Sequence, residues 1–123
     1  MPGSNADLDL SARLKSVLLH AESPISYGAL ARDLNITGPG AIARVTTALE
    51  GLMREDAAAA RPFLAAMCEG KLSGGLPALG FFQLASALGR YSGPATGPEA
   101  AVFVKAQRDA LVQDRTGINL FTH

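Results

Sequence analysis

A chain of 123 residues has the length of one domain and is expected to bury roughly two thirds of its unfolded surface. At 48% hydrophobic and 18% charged residues, the composition excludes a disordered or fibrous chain. Eleven Lys and Arg balance eleven Asp and Glu, which excludes the overall basic excess that most DNA-binding domains carry, although the two signs can still segregate onto different faces.

The opening MPGSNADLDL has no basic stretch leading into an apolar run, so no secretory signal is expected and residues 1–6 are expected to form a disordered tail. From Asp7 to Glu22, Leu10, Leu14, Val17 and Leu18 recur at helical spacing and predict an amphipathic helix over 7–22. Ser23-Pro24 ends it, because the residue before a proline is pushed out of the helical region. Ser26 is then placed as the N-cap of a short helix over 27–34, with Ile25 and Leu30 at the two positions of a hydrophobic staple. In that helix Ala29, Leu30 and Leu34 are expected to face inward, leaving Arg32 and Asp33 to solvent. NITGPG is a break rich in turn formers.

The next helix is predicted over 40–59, with Ile42, Val45, Leu49, Leu52 and Met53 as its buried stripe. Ala43, Arg44, Thr47, Gly51 and Arg54 lie on another face. After Arg61-Pro62, the continuous apolar run Phe63 to Cys68 predicts a buried strand, the first arm of a hairpin across 63–77 that reverses at Ser73-Gly74-Gly75. Leu76-Pro77 limits the return, since proline fits only strand ends and edges. Helices are predicted over 81–89 and 98–113. The segment AAVFV opens the second one and is apolar nearly all round, so it is expected to be covered on more than one side, by the domain or by a second subunit. Residues 115–123 are expected to form a C-terminal tail, which leaves 7–114 as a single domain.

Helix, helix, break, helix, hairpin is the order of a winged helix-turn-helix, mainly α with a small β-hairpin and additional C-terminal helices. A short strand at residues 24–26 would join its sheet. In that architecture Arg44 and Thr47 would face base edges, Ser26, Tyr27 and Gly40 would contact phosphate, and Lys71 and Ser73 would sit on the wing. Over 24–76, Arg32, Arg44, Arg54, Arg61 and Lys71 are matched by Asp33, Glu50, Glu55, Asp56 and Glu69.

Little points to catalysis. Cys68 is the single cysteine, so no intrachain disulfide forms, and its apolar setting predicts a buried structural thiol. His20 reads as a cation at a helix C-terminus, and His123 lies in the tail. With no cluster of Cys, His and carboxylates, no metal site is expected. Ser26, Thr37 and Thr47 lack the elbow motif or base partner of a hydrolase nucleophile, and TGPGA lacks the Lys-Ser/Thr pair of a phosphate loop. Neither a catalytic residue nor a cofactor is expected.

At Tyr27, YGALA resembles the opening of the winged-helix domain in the alkylguanine DNA alkyltransferases and their alkyltransferase-like relatives, and Val45, Ala48 and Leu49 fit that family's recognition helix. The likeness covers residues 24–52 and implies DNA-backbone contact by Tyr27. The family's reactive Pro-Cys-His-Arg segment is absent: the comparable place reads Arg61-Pro62-Phe63-Leu64. The arginine that the family inserts into the DNA stack falls at Ala43, one step from Arg44. A longer stretch resembles a small uncharacterised bacterial winged-helix domain, on Pro62, Leu64, Ala66, Gly75, Leu76, Pro77, Gly80 and Phe81.

Two readings follow. The first is a non-catalytic winged helix that binds double-stranded DNA weakly, in a regulatory role. The second is a protein-interaction module on the same fold that has lost its basic surface. A homodimer through AAVFV is a further expectation. The longest apolar runs, such as FLAAMC, fall far short of the ~20 residues of a membrane helix, so a cytoplasmic, soluble protein with no membrane partner is expected.

Overall fold

The computed structural model describes residues 2–121, with side chains described over residues 9–113. Five helices and a two-stranded sheet follow in the order α1 (Pro2–His20), β1 (Ile25–Ser26), α2 (Tyr27–Asp33), α3 (Ala41–Ala58), a 3-10 turn (Leu64–Met67), β2 (Cys68–Glu69), α4 (Leu79–Ala87) and α5 (Gly97–Phe121). The side chains of the tails expected at 1–6 and 115–123 lie outside the described residues, and the backbone is helical from Pro2 in α1 and as far as Phe121 in α5.

The α2–α3 pair is shaped by its caps. Ser26 Oγ accepts from Ala29 N–H at 3.1 Å and so satisfies a free donor in the first turn of α2. At the other end Asn35 takes a left-handed conformation (φ 58°), which lets Ile36 N–H reach Ala31 O at 2.9 Å and Asn35 N–H reach Arg32 O at 3.0 Å. The same double closure ends α3, where Ala60 (φ 55°) lets Arg61 N–H bond Asp56 O at 2.8 Å. It also ends α4, where Arg90 N–H meets Ala85 O at 2.9 Å. Gly40 starts α3 at φ 81°, a left-handed N-cap that a side chain would strain.

The core gathers Leu14 and Leu18 of α1, Leu30 and Leu34 around α2, Val45, Leu49, Leu52 and Met53 of α3, and every residue from Phe63 to Cys68. Arg13 donates to Leu34 O at 2.5 Å and Lys15 pairs with Glu55 at 2.9 Å, tying α1 to the ends of the other two helices. On the far side Phe81 meets Phe63 and Phe82 edge-on, with ring centres 5.8 and 5.1 Å apart, and the Arg90 guanidinium lies 4.4 Å over the Phe63 ring.

Two expectations need correction. The hairpin across 63–77 is absent. Leu64–Met67 is a 3-10 turn, and only Cys68–Glu69 is extended; it pairs with β1 in parallel register, Ile25 with Cys68 and Ser26 with Glu69. A continuous apolar run does not distinguish strand from buried helix, and Leu-Ala-Ala-Met contains helix formers and no β-branched residue. The chain then closes into a loop, with Gly70 N–H donating to Leu76 O at 2.8 Å and Leu76 N–H to Ser73 O at 3.0 Å, and no return strand follows among the described residues.

The second correction is Ile42, expected in the buried stripe of α3 but 48% exposed, because its flank of the helix borders an open pocket rather than a packed neighbour. The AAVFV segment is expected to be covered by the domain or by a second subunit. Ala100 and Val104 are buried, Phe103 is half-buried, and Val102 is 69% exposed, so within the chain α5 buries one side of that segment. Its packing is chiefly against the 3-10 turn, held by Gln107 and Arg108.

Candidate functional site

The residues expected to read DNA do not converge. At 100° per residue, two flanks of α3 lie nearly opposite one another on either side of its buried stripe. On one flank Ala43, Arg44, Thr47, Ala48, Gly51 and Glu55 form one wall of a groove of about 490 Å³, and Leu10 and Ser11 of α1 form the other. On the opposite flank Ile42, Thr46, Glu50 and Met53 border a smaller apolar pocket of about 120 Å³, lined also by Tyr27, Ala65, Ala78 and Phe81. Arg44 and Thr47 thus share one surface, and Tyr27 belongs to another.

The remaining expected residues are occupied or stand elsewhere. Ser26 Oγ is held at the start of α2 by the cap bond it accepts from Ala29 N–H. The Tyr27 hydroxyl accepts from Ala78 N–H at 2.9 Å, and burial pushes its pKa up to about 12, against a smaller lowering by that bond. Gly40 is exposed, and its carbonyl accepts from Arg44 N–H at 3.0 Å in the first turn of α3. Lys71 is exposed and Ser73 half-buried on the 70–76 loop; neither lines the Arg44 groove.

Cys68 is fully buried. Burial pushes its thiol up to about 12, with Arg108 opposing the shift, so the thiol is protonated at neutral pH. Among the described residues no three His, Cys, Asp or Glu side chains gather where they could hold a metal ion, and no helix is long and apolar enough to cross a membrane.

Sequence reasoning overlooked the polar residues that shape the centre of the molecule. Asp56, 3% exposed, accepts from Leu64 N–H and from Arg61 Nε, both at 3.1 Å, and so caps the 3-10 turn. Gln107 Oε1 accepts from Phe63 N–H at 2.8 Å. Arg108 donates through Nε to Ala66 O at 2.7 Å, and through Nη2 to Cys68 O at 3.2 Å and Gly75 O at 2.8 Å. Burial lowers the Arg108 pKa, with Glu69 the leading opposing charge. A signal was present: Asp56 falls four residues after Leu52 on the buried stripe of α3, and Arg108 falls four after Val104 on the buried face of α5. A charge at such a position is paired or hydrogen-bonded, which marks it as structural.

These polar groups organise the fold and leave the α1–α3 groove as the larger concave surface carrying expected site residues. Comparison with protein-family models, curated proteins and solved structures finds no match for this chain.

Proposed function

We propose that the protein is a non-catalytic interaction module built on the α2–turn–α3 pair, and that a protein partner docks in the groove between α1 and α3. One observation carries this reading. Arg44 and Thr47, which a DNA-reading helix must push outward into a major groove, share a concave surface with Leu10 and Ser11 of α1. The α3 wall of that surface carries Ala43, Ala48 and Gly51, small residues that admit another chain closely. Among the described residues its two charged side chains, Arg44 and Glu55, have opposite signs, which does not favour a continuous positive field for phosphates.

Double-stranded DNA is the competing reading, supported by the exposed Arg44 in the first turn of α3 and by the resemblance at YGALA. It lacks the wing on which Lys71 and Ser73 were expected to approach the backbone. Two measurements separate the readings. Fluorescence anisotropy with duplex DNA at about 50 and 200 mM salt, where phosphate-driven binding changes steeply, is expected to show no difference between wild type and Arg44→Ala. A photo-crosslinking residue at Thr47 is expected to give a protein adduct in the native cell, and one at Lys105 on exposed α5 is expected to give none. DNA binding that Arg44→Ala weakens, with no adduct at Thr47, overturns the proposal.

A further inference from the structure

The groove carries a two-fold pattern. Arg44, Ala48, Gly51 and Glu55 fall within about 60° of one another around α3, along about 16 Å of its axis. They are symmetric about the point between residues 49 and 50: Ala48 and Gly51 flank it closely, and Arg44 and Glu55 stand at equal distances beyond. A two-fold axis through that point sets two α3 helices antiparallel. Each Ala48 then meets the other copy's Gly51, and each Arg44 meets the other copy's Glu55. The same operation seats each α3 between α1 and α3 of the other chain.

The charges fit that arrangement. Arg44 is exposed and makes no ion pair among the described residues, and Glu55 engages Lys15 through Oε1 at 2.9 Å while about half its side chain remains exposed. The second carboxylate oxygen is left for an approaching guanidinium. In the two-fold arrangement each glutamate is shared by Lys15 of its own chain and Arg44 of the other, a network rather than an isolated pair. A parallel arrangement in the same register sets Arg44 against Arg44 and is repelled.

Gly51 is the second observation. Glycine is a poorer helix former than alanine, yet it occupies the middle of α3, and a Cβ built on it meets nothing within 4 Å. Among the described residues nothing inside the chain requires that Gly51 lack a side chain. Close crossing of another helix does require it, because small residues at the crossing let two backbones approach.

Resting on the docking reading above, we infer that the partner in this groove is a second copy of the chain, paired antiparallel through α3 with reciprocal Arg44–Glu55 contacts. Exposed ion pairs and a short crossing make this a weak, concentration-dependent dimer.

Sedimentation of the full chain from about 10 µM to about 1 mM, the range for a dimer of modest free energy, is the test. A dimer that fills with concentration is expected. Arg44→Glu and Glu55→Arg are each expected to weaken it by about tenfold, and the double exchange to return it to within about threefold of wild type, since only the order of charges is reversed. Gly51→Leu should remove the dimer. Gly51→Ala, which puts one methyl group into open space, should fold at least as well as wild type, and circular dichroism confirms that each variant is folded. A wild type that stays monomeric at the highest concentration overturns the self-pairing, and so does a folded double exchange that fails to restore it. A Thr47 adduct whose mass differs from twice the chain, with a monomeric wild type, overturns self-pairing and leaves the docking reading standing. DNA binding that Arg44→Ala weakens, with no adduct at Thr47 and a monomeric wild type, overturns both.

Discussion

Replacing Asp56 by alanine removes the acceptor that starts the 3-10 turn. Its carboxylate serves two donors at 3.1 Å, the buried Leu64 N–H and the Arg61 guanidinium, whose side chain is 54% exposed. The two losses differ in size. A buried backbone N–H deprived of a charged partner costs about 1.5–3 kcal/mol, because no water replaces the bond. An ion pair to an arginine this exposed contributes less than about 1 kcal/mol. Relief from burying a carboxylate offsets part of the sum, so Asp56→Ala is expected to cost about 2–3 kcal/mol, which lowers Tm by about 10 °C in a domain of this size. Arg61→Ala is expected to cost less than about 1 kcal/mol, and Asp56→Asn, which keeps one acceptor oxygen, falls between them. Urea unfolding with an unchanged slope measures all three. If Asp56→Ala lies within about 0.5 kcal/mol of wild type, or Arg61→Ala costs as much as Asp56→Ala, the carboxylate is not what holds the start of the turn.

Arg108→Ala should destabilise by about 2–4 kcal/mol through three freed carbonyls, and Arg108→Lys should recover less than half, since an ammonium cannot span the fork of Ala66, Cys68 and Gly75; equal stability of the two variants, by urea unfolding, would refute this. The Cys68 thiol should react slowly with a disulfide reagent in the native protein and fast in urea. Its pKa is raised from 9.0 to about 12 on folding, so the unfolded chain releases the proton first and stability falls as pH rises between those values, by about 2 kcal/mol from pH 8 to 10.5. Tyr27 adds a loss of the same sign, and Cys68→Ala should flatten the profile. Ala60→Gly should stabilise by about 0.5–1 kcal/mol by relieving a left-handed alanine at the end of α3, seen as a raised urea midpoint. Val102→Glu, at an exposed position on α5, should leave the urea midpoint within about 0.5 kcal/mol of wild type; a larger loss would mean this surface is packed.

Much of the helical framework was legible in the residues alone, because it is decided locally. The spacing of Leu14 and Leu18, and of Val45, Leu49, Leu52 and Met53, marks buried faces that the fold uses. Ser26 caps the helix that follows it, and that helix ends at Asp33, one residue before its expected end and just ahead of the NITGPG break. The burial of Cys68 also followed from its apolar neighbours. Each of these depends on side chains within one or two turns of each other, where pattern and geometry coincide.

What the tertiary structure decided lies where partners are distant along the chain. The apolar run Phe63 to Cys68 reads as a buried strand, but Asp56 reaches Leu64 N–H, Gln107 takes the Phe63 amide 44 residues away, and Arg108 takes the Ala66 and Cys68 carbonyls 42 and 40 residues away. With those backbone groups satisfied by side chains, no hairpin partner is required, and the two extended residues left over pair with β1 instead. Ile42 satisfies the helical period as well as Val45 does, but it is exposed because nothing packs fully over its flank of α3. The candidate site followed the same division. Arg44 and Thr47 could be assigned to one face of a helix from their spacing. That this face is one wall of a groove shared with α1, while Tyr27 closes a pocket on the opposite flank, depends on how the helices pack, and no local pattern encodes that.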